Sequence, residues 1–208
     1  VTGASRGIGL GAAVALAEAG AYVVLASRSS EELEQVVDAI RGRGGACEAV
    51  EVDVTDVGRV TEIIENYAAF DILVNNAGTN RPGPMHEMTL EDFDAVMNLN
   101  VRAAYFVAKA VVKKMQIKGQ GGSIINTSSQ MGHVGGIDRT IYSAAKHAIE
   151  GLTRALAIEL GKDNIRVNTI CPTFIRTPMT EKTFADPELV EWIHSKIKLG
   201  RIGEIEDI

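Results

Sequence analysis

Aromatic residues and cysteines are scarce in this chain of 208 residues. Phe, Trp and Tyr make up only 5% of it, too little for the aromatic platform on which single-stranded nucleic acids stack. Cys47 and Cys171 lie far apart and form no CxxC motif, so we expect two buried free thiols rather than a disulfide framework. No metal-ligand spacing appears among the histidines, which are His86, His133, His147 and His194. We therefore expect no metal site, although His133 is close enough to Ser129 to face a substrate.

Long apolar runs and clusters of basic residues are also missing. No stretch reaches the roughly 20 apolar residues of a membrane helix, and no signal peptide is recognisable at the start. The 21 basic and 27 acidic residues give a net charge of −6, which disfavours binding to nucleic-acid phosphates or anionic membranes. We expect a cytoplasmic enzyme with a small-molecule substrate and with no nucleic-acid or membrane partner.

Short apolar segments alternate with longer amphipathic ones from end to end. Predicted strands cover residues 22–26, 46–54, 71–75, 123–127 and 165–170. Predicted helices cover residues 31–41, 57–68, 91–114, 142–160 and 187–198, and residues 172–186 form a loop of the kind that closes a ligand site. This alternation predicts an α/β fold, a doubly wound, Rossmann-like parallel sheet with helices on both faces. Residues 1–208 form a single predicted domain.

A glycine-rich segment at residues 3–9 lies where the first strand should turn into the first helix, before the strand at 22–26. Gly3, Gly7 and Gly9 allow a tight turn and a close approach of the backbone to a pyrophosphate, which the following helix N-terminus would attract. Their spacing is GxxxGxG, which does not match the common GxGxxG fingerprint, and no GK[ST] of a P-loop follows. This segment alone is compatible with either a nucleotide site or a structural turn.

Four further motifs follow in order along the chain. They are Asn75-Asn76-Ala77-Gly78, Asn100 within NLNV, Ser128-Ser129 at the end of the strand SIINT, and Tyr142-x-x-x-Lys146. Together with the glycine-rich segment they resemble the short-chain dehydrogenase/reductase family over essentially the whole chain. The resemblance implies an NAD(P)-dependent oxidoreductase that interconverts a secondary alcohol and a ketone by hydride transfer. It also implies a homotetramer in which the helices of residues 101–115 and 142–160 pack between subunits.

The spacing of Tyr142 and Lys146 has a physical reason. Positions i and i+4 share one helix face, so both side chains can reach one cleft. A free tyrosine has a pKa of about 10, and a nearby ammonium favours its phenolate form. By the resemblance, Tyr142 is the catalytic acid/base, and Lys146 assists it and binds the nicotinamide ribose. Ser129, in preference to Ser128, hydrogen-bonds the substrate oxygen, and Asn100 holds a water in a proton relay.

The same resemblance assigns the cofactor contacts. Asp53 matches the adenine contact, Asn76 the residue that steadies the central strand, and Thr177 the contact to the nicotinamide carboxamide. The full expected set is Gly3, Ser5, Arg6, Gly7, Ile8, Gly9, Arg28, Asp53, Val54, Asn76, Ala77, Gly78, Tyr142, Lys146, Pro172, Ile175 and Thr177. One departure is Thr173, which stands where the family usually has glycine.

The residues after the strand at 22–26 distinguish NAD from NADP. An acidic residue there would bind the ribose hydroxyls and repel a 2′-phosphate, but none occurs before Glu31. Arg28 offers a planar fork for a phosphate, and Arg6 matches a basic position typical of NADP-preferring members. We expect NADP(H) to be preferred and NAD(H) to be the second cofactor.

The substrate class is open among three alternatives. Residues 76–81 and 179–187 resemble the sugar-acid branch of the family, enzymes like gluconate 5-dehydrogenase, which implies a polyol or sugar-acid substrate. A 3-oxoacyl-[acyl-carrier-protein] reductase would use the same catalytic group, and a sensor module would bind NADP(H) without turnover. The resemblance further implies that the first strand and the C-terminal strand of the family domain are largely missing.

Overall fold

The computed structural model describes all 208 residues and contains five parallel strands with helices around them. The strands are β1 (Tyr22–Ser27), β2 (Ala46–Glu51), β3 (Ile72–Asn75), β4 (Gly122–Thr127) and β5 (Ile165–Ile170). The helices are α1 (Gly7–Glu18), α2 (Ser30–Gly42), α3 (Val57–Glu65), α4 (Leu90–Met97), α5 (Ala104–Lys118), α6 (Thr140–Leu160), α7 (Glu181–Phe184) and α8 (Pro187–Lys196). Short 3₁₀ turns cover Met85–Glu87, Gln130–Gly132, Gly161–Asp163 and Ile205–Asp207.

The first residues of the chain join two groups of strands. β1 pairs with β2, and β4 pairs with both β3 and β5, all in parallel. Thr2 donates from its backbone N–H to Val74 of β3 (3.0 Å), and Ala26 of β1 donates to the carbonyl of Val1 (2.9 Å). The resulting order is β2, β1, residues 1–4, β3, β4, β5. This is the doubly wound order that brings a ligand to the carboxyl ends of the central strands, and it confirms the predicted fold.

Two apolar cores hold the helices on the sheet. Val107, Val111 and Met115 of α5 pack with Ile124 of β4 in the larger core. A smaller core joins α1 and α2 to β1 and β2 and includes the fully buried Leu33. Burying one apolar side chain of this size stabilises the folded state by roughly 1.5–3 kcal/mol. The two cores therefore hold the sheet in place below the loops that carry the site.

Side-chain hydrogen bonds of Asp53 and Asp56 form the turn between β2 and α3 and account for the early end of β2. The strand predicted to reach residue 54 ends at Glu51, and Asp53 then accepts hydrogen bonds from the backbone N–H (2.9 Å) and the hydroxyl (2.7 Å) of Thr55. The carboxylate of Asp56 accepts from the backbone of Arg59 (3.0 Å) and so begins α3. Such local bonds compete with the strand ladder and favour a turn. Helix α3 ends at Glu65, three residues before its predicted end.

A continuous helical segment runs from Leu90 to Lys118 through α4, a π-helical stretch at Asn98–Ala103 and α5. Its 29 residues are long and apolar enough to cross a membrane, whereas the sequence predicted a helix at residues 91–114 but no membrane-spanning stretch. A core helix of a globular domain meets the same criterion, and Val107 and Met115 of this segment are buried in the larger core.

Candidate active site

The glycine-rich turn is strained in a way that only glycine tolerates. Gly3 and Gly7 have φ angles of 63° and 57°, in the left-handed region. A Cβ on Gly9 would collide with the carbonyl oxygen of Gly3, so this glycine lets α1 pack directly on the turn. Helix α1 has no side-chain cap at Arg6, unlike α2, α3 and α4. Its first backbone N–H groups therefore remain available to an anion such as a pyrophosphate.

Asn76 ties this turn to the end of β3. Its Nδ2 donates to the carbonyl oxygens of Thr2 (3.1 Å) and Gly3 (3.3 Å). The Thr2 hydroxyl in turn accepts from the backbone N–H groups of Asn76 (2.9 Å) and Ala77 (3.0 Å). The residue predicted to steady the central strand thus also fixes the glycine-rich turn beside it.

Asn100 lies in the π-helical stretch, an irregularity that often marks functional positions. It is only 2% exposed. Its Oδ1 accepts from the backbone N–H of Thr79 (3.0 Å), and its Nδ2 donates to the Thr79 carbonyl (2.7 Å). A Cβ on Gly78 would approach Asn100 Oδ1 to 2.6 Å, so the glycine at this position permits the contact.

Lys146 is buried beneath Tyr142 on α6. Its Nζ donates to the carbonyl oxygen of Thr127, the last residue of β4, at 2.7 Å, and lies 5.5 Å from the centre of the Tyr142 ring. Burial lowers the pKa of Lys146 to about 8, and the nearby Cys171 and Glu150 partly oppose that shift. The ammonium is thus positioned to act on the phenol electrostatically.

Tyr142 keeps its proton in this environment. Burial raises the pKa of its hydroxyl, while hydrogen bonding to Ser129 and the charge of Arg139 act in the opposite direction. Ser129 also accepts from the backbone N–H of Met131 (3.1 Å), which holds it at the start of the 3₁₀ turn after β4. Ser129 rather than Ser128 was the predicted catalytic serine, and Ser129 is the one near Tyr142, whereas Ser128 is packed beside Gly132.

The two arginines predicted to bind a 2′-phosphate are paired with acids. Arg28 lies 3.8 Å from Asp53, the predicted adenine contact, and Arg6 lies 3.9 Å from Glu32. Nothing in the sequence spacing indicated these pairs. Both arginine side chains are largely exposed, and exposed ion pairs contribute only roughly 0–1 kcal/mol, so a phosphate could displace the carboxylates.

The loop after β5 lies against the glycine-rich turn. The Pro172 carbonyl accepts from the backbone N–H of Gln130 (3.0 Å), which joins this loop to the one after β4. Ile175 is buried and bridges to Gly203, and Thr177 lies 3.6 Å from the position of a Cβ on Gly7. The predicted carboxamide contact is therefore next to the predicted pyrophosphate site.

The remaining predicted cofactor contacts, Ser5, Ile8 and Val54, differ in their exposure and partners. Ser5 accepts from the hydroxyl of Ser27 (3.1 Å), and Ile8 is half-buried in the first turn of α1. The side chain of Val54 lies in the larger apolar core, so the predicted cofactor contact would be made by its backbone. Cys171 is a correction, since it is exposed after β5, whereas Cys47 is buried as expected.

Three features of this site fit a nicotinamide dinucleotide. They are an uncapped helix N-terminus, a glycine-rich turn in which an added side chain would clash, and a buried ammonium. A model of the short chain dehydrogenase family matches residues 1–188. The chain belongs to this family. The predicted family and reaction class are thereby confirmed, and this dehydrogenase/reductase is an NAD(P)-dependent oxidoreductase that acts on CH–OH groups.

Curated relatives of this dehydrogenase/reductase carry different substrate names. A 3-oxoacyl-[acyl-carrier-protein] reductase of Thermotoga maritima is 40% identical over all of this chain and 85% of its own length. A gluconate 5-dehydrogenase of Gluconobacter oxydans is 36% identical over all of this chain and 82% of its own. An L-xylulose reductase of Mus musculus is 38% identical, with 84% of its own length covered.

Solved structures agree with this fold. A gluconate 5-dehydrogenase from Burkholderia cenocepacia, in complex with NADP and tartrate, superposes with a TM-score of 0.94 at 31% identity. That match covers 99% of this chain and 82% of the other. A short-chain type dehydrogenase/reductase from Mycobacterium marinum has the same TM-score at 38% identity, covering all of this chain and 83% of its own.

A polar cavity of about 330 Å³ lies in the segment after β3 and was not predicted as a site. Its lining is Asn80, Arg81, Pro82, Gly83, Glu87, Met88 and Asp92. Asn80 Oδ1 is buried without a hydrogen-bond partner, and Arg81 pairs with Asp92 at 3.1 Å. An unpartnered buried acceptor costs free energy unless a ligand or water satisfies it. The sequence signal was Arg81, which follows Asn76-Ala77-Gly78, but a solvated loop arginine is the more common explanation of such a residue.

Proposed function

We propose that residues 1–208 form one dinucleotide-binding catalytic domain that interconverts a secondary alcohol and a ketone of a polyol or sugar acid with NADP(H). The carrying observation is the arrangement around Tyr142: Lys146 lies below its ring, and Ser129 is near enough to its hydroxyl to lower its pKa. In this proposal Asn100, Ser129, Tyr142 and Lys146 are the catalytic group. The sensor alternative has no support from this arrangement, because cofactor binding alone needs no protonated tyrosine beside a serine.

Each member of the group has one task. When bound, the nicotinamide supplies or accepts the hydride. Ser129 donates a hydrogen bond to the substrate oxygen and stabilises the negative charge that develops there. Tyr142 gives its proton to that oxygen during reduction and takes it back during oxidation. The Lys146 ammonium lowers the energy of the resulting phenolate, and Asn100 holds the water through which the proton is replaced.

The preference for NADP(H) is supported by charge. No acidic residue follows β1 before Glu31, and the guanidinium groups of Arg6 and Arg28 stand beside the glycine-rich turn and the end of β1. A phosphate accepts bidentate hydrogen bonds from an arginine. The complex of the Burkholderia relative with NADP is consistent with the same preference.

A sugar-acid or polyol substrate is favoured by the polar cavity in the segment after β3. Asn80 and Arg81 give it polar donors and acceptors, which match hydroxyl and carboxylate groups rather than an acyl chain. The 40% identity to the Thermotoga reductase supports 3-oxoacyl reduction as the second candidate. Both candidates use the same catalytic group.

A substrate panel with matched cofactors tests the proposal. Oxidation of NADPH and of NADH is followed with a keto-gluconate, L-xylulose and an acetoacetyl thioester as substrates. We expect the keto-sugar substrates with NADPH to give the highest kcat/KM. A higher kcat/KM for the thioester would replace the substrate assignment. In the same assay Tyr142→Phe is expected to lose roughly 10²- to 10⁴-fold in kcat while still binding NADPH. Undiminished turnover in Tyr142→Phe would refute the catalytic assignment.

We further propose a cytoplasmic homotetramer, supported by apolar side chains on the outside of the α4–α6 layer. Phe93, Tyr105 and Ile158 are 46%, 46% and 85% exposed. The alanines at 103, 104, 108 and 145 are buried within the chain, so they pack α5 and α6 internally and do not form the contact between subunits. Sedimentation equilibrium of the wild type and of Ile158→Asp tests this assignment, with dissociation expected for the variant.

A further inference from the structure

A histidine, a glutamate and a cysteine from three separate segments meet behind the catalytic helix. His133 Nε2 lies 3.3 Å from Cys171 Sγ and 3.6 Å from Glu150 Oε2, and Cys171 Sγ lies 3.3 Å from Glu150 Oε1. His133 follows the 3₁₀ turn after β4, Glu150 is on α6, and Cys171 follows β5. No proposed step of the oxidoreductase reaction uses this cluster.

With one ligand atom taken from each residue, the three atoms lie within 4.8 Å of one another. The separations of His133 Nε2 from Cys171 Sγ and from Glu150 Oε2 are those of neighbouring ligands around one tetrahedral ion. With Zn–S near 2.3 Å and Zn–N and Zn–O near 2.0–2.1 Å, tetrahedral angles place neighbouring ligand atoms roughly 3.3–3.6 Å apart. The thiol, imidazole and carboxylate are also the ligand types that zinc selects. We propose that His133, Glu150 and Cys171 bind one zinc ion, with the fourth position open to water.

The fold holds the three ligands in place before any ion arrives. A Cβ on Gly132 would lie 2.7 Å from Ser128 Oγ and 3.0 Å from Glu150 Cγ, so this glycine lets the turn that carries His133 rest directly on α6. The Thr169 hydroxyl donates to Glu150 Oε2 at 3.4 Å. Hydrogen-bonding neighbours of this kind orient metal ligands.

The charges favour a cation over a reactive thiol. Burial alone would raise the pKa of Glu150, but the neighbouring Ser128, Cys171 and Thr169 and the nearby His133 hold it below its ordinary value. The carboxylate is therefore charged and 93% buried, and Arg154, its basic partner on the same helix, is exposed and 3.8 Å away. Although Cys171 is exposed as a residue, partial desolvation of its sulfur and the Glu150 carboxylate raise the pKa of its thiol, which disfavours a free thiolate nucleophile. A bound zinc would displace that proton and neutralise both groups.

Zinc at this site would inhibit the oxidoreductase. Glu150 follows Lys146 by one turn of α6, so a dication on its carboxylate would repel the buried ammonium and the cationic oxidised nicotinamide. This consequence rests on the proposed function, whereas zinc binding does not.

Zinc binding is measured on the full chain without substrate, by competition with a chromophoric chelator. Cobalt substitution provides a second readout, a thiolate-to-cobalt charge-transfer band. We expect one ion per chain, protection of Cys171 from alkylation by iodoacetamide, and reversible inhibition. In Cys171→Ser and His133→Asn the affinity for zinc should fall at least roughly 100-fold. Removing only a hydrogen-bonding neighbour of a ligand can already cost that much, so removing the ligand itself should cost no less.

His86→Asn is the matched control. His86 lies 3.6 Å from the carboxylate of Glu87, as His133 does from Glu150, but it has no thiol beside it. This variant should bind zinc like the wild type. Wild-type protein that binds no stoichiometric zinc overturns the proposal, and so does zinc binding that persists in folded Cys171→Ser and His133→Asn. Zinc binding without inhibition would retain the site and reject only its coupling to Lys146.

Discussion

The Lys146 ammonium donates a 2.7 Å hydrogen bond to the carbonyl of Thr127, which fastens α6 to the end of β4. Through this bond the sheet determines where the ammonium stands relative to Tyr142. The bond compensates only part of the cost of burying the charge, because burial still lowers the pKa of Lys146 to about 8. The burial that positions Lys146 thus also makes its ammonium easier to deprotonate.

Ketone reduction should slow as the pH rises through about 8. Reduction needs a protonated Tyr142 and a charged Lys146, and Lys146 loses its proton first because its pKa is lowered while that of Tyr142 is raised. We expect kcat/KM for reduction to decline about tenfold per pH unit above that value. In Lys146→Arg the guanidinium stays charged, so the lower rate of this variant should show no such decline. An equal decline of kcat/KM in both proteins would show that another group causes the loss of activity at high pH.

The same pKa shift predicts a pH-dependent stability. The folded pKa of Lys146, about 8, lies below the ordinary value of 10.5, so the unfolded chain binds more protons between these values. The free energy of unfolding should therefore rise with pH in this window, by about 3 kcal/mol for one group. Urea unfolding of the wild type and Lys146→Met from pH 7.5 to about 10.5 isolates this term. The gain should be absent from the variant, and a constant difference between the two proteins would contradict it.

Arg28 should carry much of the discrimination between NADPH and NADH. Removing one charge-assisted phosphate contact in Arg28→Ala should weaken NADPH binding about 10- to 100-fold and leave NADH binding nearly unchanged. Arg43→Ala is the control, since Arg43 forms a similarly exposed pair with Glu18 on the other side of α1. Cofactor fluorescence titration measures both. A parallel loss for the two cofactors would remove Arg28 from the 2′-phosphate site.

Two glycine substitutions should change stability in opposite directions. A Cβ on Gly9 would meet the Gly3 carbonyl and approach Asn76 Nδ2 to 2.5 Å, so Gly9→Ala should cost about 1–3 kcal/mol and abolish cofactor binding. Gly151, on α6, has open space around it, and Gly151→Ala should stabilise the protein by about 0.5–1 kcal/mol. Thermal unfolding compares them, and a neutral Gly9→Ala would show that the turn can move.

Much of the fold was predictable because its signals are local. The apolar run of β1, the amphipathic pattern of α2 and the caps at Ser29 and Asp56 lie within a few residues of the elements that they define. The strand order was less accessible, since it depends on residues 1–4 inserting between β1 and β3. The π-helical stretch at Asn98–Ala103 had no local sequence signal, and the partner of Asn100 within it, Thr79, lies 21 residues earlier in the chain.

By itself the sequence determined the reaction class, since the glycine-rich turn and the Tyr142–Lys146 spacing are short motifs whose chemistry follows from residue type and helical period. Only the tertiary structure decided how those groups are charged and partnered. The burial of Lys146, the ion pairs of Arg6 and Arg28, and the meeting of His133, Glu150 and Cys171 join residues far apart along the chain. Desolvation and Coulomb energies depend on distance in space, and no local pattern records that distance.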